Sequence, residues 1–400
     1  MDKTKEFYDS HKSYYNNCKI VLSMIGQWPY QSTASSILAL GITLLLGPTF
    51  IIPQMTAVYE LRASISEVLE YVMPIFINVM CTIKILNLMI KRNKIKKLLT
   101  DLAEDWANIK SDQELQILHN HTKFAATINN FYIIYLALVT FGYMLILQFS
   151  TIKLKILPGT NKSIGLDASP FIADYHIDEE KYYHLIKFHL NATIFFHAVM
   201  TIAPELLFIM LIQHACGMFE IIRYQLQTAV EDGSLNINLY PETKYDTTYN
   251  NLSNIIKAHT RIIHFTQQIE TLFATSLLFS VLLIAVMISI STVQALVFSE
   301  EIDKFAKTAG LSLAQVLYIF LECWQAQLLT DAANRVHHHT YDCRWYRMSL
   351  RCRKLIILIM IRTEIPCKIT AGRFMTFSLE AFSAVIRTSV SYIAVFRSIG

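Results

Sequence analysis

An all-α membrane protein of seven transmembrane helices, its N-terminus cytoplasmic and its C-terminus extracellular, is the fold class this sequence predicts. Three observations predict it. Hydrophobic residues make up 53% of the 400 residues and charged residues only 16%, against about 45–50% and 25% in soluble domains. Seven apolar segments approach or exceed the ~20 residues a spanning helix needs. Lys and Arg are concentrated in alternate links, which orients the chain. Only 11 Gly and 9 Pro favour helices with short links over a sheet protein.

The chain opens on a polar stretch, Met1 to Lys19, that does not read as a cleavable signal peptide, and residues 1–35 are expected to form a cytoplasmic segment. The spans follow: Ser36–Val58, interrupted by Pro48 and Pro53; Val68–Ile90; Ile128–Phe149; Leu190–Gly217; Thr271–Phe298, the most apolar; and Gly310–Leu329. Residues 36–330 thus hold six helices and 331–373 a cytoplasmic anchor region. Residues 374–400 hold the seventh helix, within a stretch that begins at Arg373. The run Leu355–Ile361 is too short to span and reads as part of a helix packed on protein near the membrane surface. Residues 91–110 place Ile95, Leu98, Leu99, Leu102 and Trp106 on one helical face, and 249–270 repeat the pattern. Both are expected to be inward extensions of the second and fifth spans. With 348–361 they would form a cytoplasmic block where subunits meet.

With the N-terminus inside, the cytoplasmic segments hold 24 Lys and Arg and the outer segments nine. None of the seven cysteines then falls in an outer loop. The sequon at Asn161 lies in the longest outer loop, where glycosylation is expected; Asn191 lies at the outer edge of the fourth helix, and Asn251 would be cytosolic.

The last stretch is not uniformly apolar. At ~100° per residue, Thr388, Ser391, Val395 and Ser398 share one face. Bare polar groups in hydrocarbon are costly, so this stripe wants water or a neighbour. Either it lines a pore shared by several copies, with Val395 as an apolar narrowing, or it packs on helices of its own chain.

Catalytic constellations are missing. The sequence has no Gly-x-Ser-x-Gly, no His-Glu-x-x-His and no phosphate-cradling glycine loop, so no enzyme activity, cofactor or nucleic-acid partner is expected. His337, His338 and His339 point in different directions on a helix and make a poor chelate; they read as a solvated loop, with no metal. His189 and His197 read as pocket or packing residues. Glu70, Lys84, Glu205, Glu322, Glu380 and Arg387 fall in spans, where each charge costs about 2.5–3.5 kcal/mol on insertion scales; Glu70, Glu205 and Glu322 could instead sit at helix ends or breaks. A proton-coupled transporter would use such groups, but the halves show no inverted repeat.

The C-terminal series carries a resemblance. Cys323-Trp-Gln-Ala-Gln-Leu-Leu-Thr-Asp331, Tyr341-Asp-Cys-Arg-Trp345, Lys354-Leu-Ile-Ile-Leu-Ile-Met-Ile-Arg362, Pro366-Cys-Lys-Ile-Thr-Ala-Gly372, Phe377-Ser-Leu-Glu380 and Arg387-Thr-Ser-Val-Ser-Tyr-Ile-Ala-Val-Phe-Arg397, in this order, closely resemble the C-terminal third of insect odorant receptors. The first five helices match mainly in hydropathy. The resemblance implies a ligand-gated cation channel in which a tuning subunit assembles with an obligate co-receptor into a tetramer. It implies a plasma-membrane location in a sensory neuron, and a small volatile ligand bound in the outer half of the bundle. The last helix would line the pore, with its gate at Val395, three positions after Tyr392, and with Ile399 one turn outward. The long insertion between the fourth and fifth helices that marks the co-receptor is missing, which implies a tuning subunit. A pocket for odorants should be apolar and aromatic; candidates on the outer halves are Tyr71, Met73, Ile75, Thr140, Tyr143, Leu147, Phe195, Phe196 and Tyr318, each of which could equally be packing. Gustatory receptors are the runner-up, but their Gln-Phe after the Tyr of the last helix is not here. A G-protein-coupled receptor would have the reverse orientation.

Overall fold

The computed structural model describes residues 3–61, 65–109, 111–149, 153–156, 163–168, 171–173, 175, 177, 181–229, 239, 246–297 and 302–399. The helices are α1 (Lys3–Ser10), α2 (Lys12–Met24), α3 (Thr33–Leu61), α4 (Ile65–Ile90), α5 (Arg92–Asn108), α6 (Asp112–Phe149), α7 (Tyr183–Thr228), α8 (Thr247–Val297), α9 (Ile302–Asp342), α10 (Leu350–Thr363) and α11 (Leu379–Ile399). Helices α3, α4, α6, α7, α8, α9 and α11 correspond to the seven expected spans. Five of them, α3, α4, α6, α7 and α8, are long and apolar enough to cross a membrane by composition alone. Helix α9 is interrupted by Gln315, Glu322, Gln325 and Gln327, and the side chains of α11 beyond Ser391 lie outside the described residues.

The surface explains why so apolar a chain can be stable. On α6, Phe131, Ile134, Leu138, Phe141 and Leu145 are exposed at helical spacing, and Ile37, Leu38, Leu45 and Ile52 are exposed on α3. Such stripes would be untenable in water and suit lipid. Helix α7 does the opposite. From Met200 to Gly217 every residue except Thr201 is buried, and it packs against α4, α6, α8 and α9.

Several helices run well past their apolar cores. Helix α6 starts at Asp112 and α7 ends at Thr228, and α8 runs unbroken from Thr247 through the expected extension. Residues 91–110 are different: a turn at Lys91 separates α4 from α5, so α5 is a helix of its own and not an extension of the second span. Its apolar face is used as expected, with Ile95, Leu98, Leu99, Leu102 and Trp106 buried. Helices α1 and α2 cover the same end. Tyr8 Oη donates to the Leu99 carbonyl at 2.9 Å and Trp106 Nε1 to Tyr15 Oη at 3.0 Å. At that end too, α10 packs on α8 and α9, and Asp246 accepts from Ser349 Oγ at 3.0 Å while Ser349 caps α10.

The α2–α3 corner is a Schellman turn. Gln27 N donates to Leu22 O at 2.8 Å and Gly26 N to Ser23 O at 3.1 Å, the 6→1 and 5→2 pair of that motif. Gly26 has φ +73, which glycine adopts without steric cost.

Two features depart from the sequence expectation of a purely helical chain. Strands β1 (Lys153–Ile156), β2 (Ser163–Ala168) and β3 (Phe171–Ala173) form an antiparallel meander in the expected long outer loop, pairing Leu154 with Leu166 and Asp167 with Ile172. Asn161 lies outside the described residues. A second hairpin, β4 (Thr370–Ala371) and β5 (Met375–Thr376), precedes the last helix. Residues 373–378 are therefore hairpin and cap, not helix: Gly372 and Arg373 both have positive φ, and Ser378 Oγ accepts from Ala381 N at 3.1 Å as an N-cap. His337–His339 are also corrected. They belong to the C-terminal turns of α9, not a loop, and His337 Nδ1 lies 2.9 Å from Thr363 Oγ1 of α10. Among the described residues, no three His, Cys, Asp or Glu side chains converge as a metal site.

Candidate functional site

Helices α3, α4, α6, α7, α8 and α9 line a partly open cavity of about 240 Å³. Its wall is built at helical spacing. Met73, Ile77 and Met80 come from α4, Tyr132, Tyr135, Leu136, Val139, Thr140 and Tyr143 from α6, and Ile284 and Met287 from α8. Phe50 of α3 and Ile194, Ala198 and Thr201 of α7 complete the apolar part, with Leu311, Ala314 and Tyr318 of α9 opposite. A mostly apolar, aromatic wall with a few polar groups is the usual make-up of a small-molecule site.

Polar groups on the α4–α7 side satisfy one another. His197 Nδ1 lies 2.7 Å from the Thr193 carbonyl, so it must donate, which leaves Nε2 to accept from Asn78 Nδ2 at 2.5 Å. Asn78 Oδ1 in turn accepts from Thr82 Oγ1, and Thr201 Oγ1 donates to the His197 carbonyl.

An ion cluster lies beside the cavity, joined to it through Tyr318. Lys84 Nζ is 2.5 Å from Glu205 Oε1 and 3.0 Å from Glu322 Oε1. Tyr318 Oη lies 2.9 Å from Glu205 Oε1 and 2.8 Å from Glu322 Oε1, and Lys84 Nζ sits 4.6 Å from the centre of the Tyr318 ring. All of these side chains are buried. Glu205 and Glu322 are therefore mid-helix charges made tolerable by a shared cation, not residues of helix ends or breaks. Spacing within one helix could not show this, because the three residues come from α4, α7 and α9.

Of the residues singled out from the sequence, Met73, Thr140, Tyr143 and Tyr318 line the cavity. Ile75 is half-buried on α4, outside the lining. Leu147 does not line the cavity; it is buried behind the wall residue Phe50, in a cluster with Ile186 and Leu190. Phe195 is exposed and its ring meets that of Phe196 edge-on; neither lines the cavity. The Tyr71 side chain lies outside the described residues. Stepping three and four residues from Met73 and Thr140 would have found Ile77, Met80 and Leu136. The α3 and α8 contributions left no comparable signal.

On α11 the buried positions recur every four residues, at Phe377 just before the helix and then Ala381, Val385 and Ser389. They face α8 and α9. Thr388 and Ser391 are exposed on the other side, so the described part of the hydroxyl stripe does not pack on its own bundle. Val395, Ser398 and Ile399 belong to α11, but their side chains lie outside the described residues. Helix α9 connects the two regions: Tyr318 meets the cavity, while the Phe320 ring packs edge-on against Phe382 of α11 at 5.5 Å.

Comparison with known proteins agrees with this architecture. The fold superposes on the insect olfactory receptor OR5 from Machilis hrabei, solved in complex with eugenol, with a TM-score of 0.79, covering 98% of this chain and all of that one at 15% identity. A second OR5 structure matches with a TM-score of 0.75. Odorant receptor 13a of Drosophila melanogaster is 25% identical over 203 residues, 47% of this chain and 46% of the relative. Odorant receptor 22c of the same fly is 22% identical over 186 residues, 46% of each. The chain thus aligns with under half the length of these curated relatives. The 7tm Odorant receptor family model, in contrast, matches residues 64–390, and on that match this chain belongs to the seven-transmembrane odorant receptor family.

Proposed function

We propose that this chain is the ligand-binding, tuning subunit of an odorant-gated, non-selective cation channel, assembled with a co-receptor subunit, as a tetramer, in the plasma membrane of a sensory neuron. The observation that carries the reading is one helix, α9, placing Tyr318 at an apolar cavity and Phe320 against α11, whose Thr388 and Ser391 face away from the bundle. Met73, Thr140, Tyr143 and Tyr318 contact the volatile ligand. Thr388, Ser391, Val395, Ser398 and Ile399 line the pore, with Val395 as the apolar gate. The likeness to a receptor solved with eugenol supports a small organic ligand. Residues 331–373 anchor the subunits on the cytoplasmic side, and Asn161 carries glycan on the outer side.

Ligand in the cavity works by binding one conformation better than the other. A difference of about 5.5 kcal/mol would carry the channel from mostly closed to mostly open. The displacement passes from Tyr318 along α9 to the Phe320–Phe382 contact and then to α11. The test is Val395→Ser, expressed with a co-receptor and recorded by whole-cell clamp. We expect raised basal conductance without ligand. Unchanged basal current and unchanged ion selectivity would remove Val395 from the gate.

A further inference from the structure

Polar groups around the cavity fall into two kinds. On the α4–α7 side, His197, Asn78 and Thr201 are bonded to protein, as described above. On the α8–α9 side, Gln294 and Gln315 line the cavity, are 3% and 6% exposed, and each has a carboxamide Nε2 with no hydrogen-bond partner. Among the described residues these are the only buried side-chain atoms of the cavity wall left in that state. Ser291 Oγ lies 3.3 Å from Gln315 Oε1 and 3.2 Å from the Ile288 carbonyl, which share its one proton. Ser291 lies one turn before Gln294 on α8, so both amides belong to the same polar end of an otherwise apolar chamber. A buried donor left unpaired is costly, and native structures retain few of them.

We infer that this cavity selects small apolar molecules that carry a hydrogen-bond acceptor oxygen, a ketone, aldehyde or ester, which takes the Gln294 and Gln315 N–H groups. The inference rests on the proposed role of the cavity and adds the ligand's chemical class. The acceptor's position follows from the wall: its oxygen lies toward α8 and α9, and its hydrocarbon part lies among Met73, Ile77, Tyr135 and Met287. A protonated amine offers no acceptor to these N–H groups and would bring an uncompensated charge into a mostly apolar chamber. A hydrocarbon fits the chamber but leaves both amides unpaired.

The test uses the full chain purified in detergent and three probes of one length, 2-octanone, octane and octylamine, with binding read from the ligand-induced rise in unfolding temperature. We expect 2-octanone to bind about fivefold or more tighter than octane, the net worth of a neutral hydrogen bond, with octylamine no better than octane. Gln294→Met and Gln315→Met keep side-chain length and remove the amide, so the loss should fall on 2-octanone and spare octane. Equal binding of 2-octanone and octane by the unaltered chain would overturn the inference without any variant having to fold, and so would a preference for octylamine. Ala314→Trp fills the chamber and separates the two claims. If it abolishes binding of octane and 2-octanone while the two bind the unaltered chain equally, the cavity reading stands and the acceptor reading falls. If it changes neither, ligand binds elsewhere and both fall.

Discussion

Lys84 is 4% exposed and holds two carboxylates, so removing it strands buried charge rather than deleting one bond. Lys84→Met is expected to cost about 3–5 kcal/mol, read as a lower unfolding temperature and loss of surface expression. Adding Glu205→Gln and Glu322→Gln in the same chain should restore most of it, because no charge is then left to pair. A single Lys84→Met variant that folds and reaches the surface like the unaltered chain would refute the shared-cation account. At the terminal end of the bundle, burial alone pushes the Cys18 thiol up to about 12. At pH 8 only about one thiol in ten thousand is then thiolate, the reactive form. Cys18 should resist maleimide in the folded protein and label on denaturation; native labelling followed by mass spectrometry checks this.

The helix connections depend on a few backbone positions. A methyl added at Gly26 would meet the Ser36 carbonyl oxygen at 2.4 Å, and the residue already has φ +73. Gly26→Ala should destabilise the chain by about 1–3 kcal/mol. Gly41 on α3 is the control: a methyl there meets nothing within 4 Å, and Gly41→Ala should cause no loss of unfolding temperature. Equal effects at both sites would mean that the α2–α3 corner is not held by its turn geometry. The hairpin before α11 follows the same logic, since Gly372 N donates to Ala274 O of α8 at 2.9 Å. This bond fixes where the last helix begins, immediately beside the longest helix of the bundle.

For the whole molecule, the exposed apolar stripes of α3 and α6 and the buried α7 describe a bundle that faces lipid outward and packs inward. Helices α1, α2, α5 and α10 gather at one end with the inner extensions of α6 to α9. The segments rich in Lys and Arg lie at that end, which the charge rule places in the cytosol. Epitope tags test the orientation: an N-terminal tag should stain only permeabilised cells, and a C-terminal tag should stain intact ones. The reverse pattern would place α11 the wrong way round for the proposed pore.

Much of this was legible in the sequence because hydropathy and helical period are local properties. The seven apolar runs, the buried face of α5, the helix around 355–361 and the C-terminal motif series each lie within one continuous stretch, and each could be read by spacing alone. The outer strands and the hairpin at 370–376 escaped because they are short and their backbone turns, as at Arg373, give no periodic signal. The cavity and the ion cluster escaped for a different reason. Lys84, Glu205 and Glu322, or Phe50, Tyr143 and Gln315, are far apart in the chain and meet only when separate helices take a fixed rotation and register. Sequence by itself determined that the chain is a helical bundle in lipid and which residues could not face that lipid cheaply. Only the tertiary structure decided which of those residues share a chamber, because the helix–helix packing that joins them is set by contacts no single segment contains.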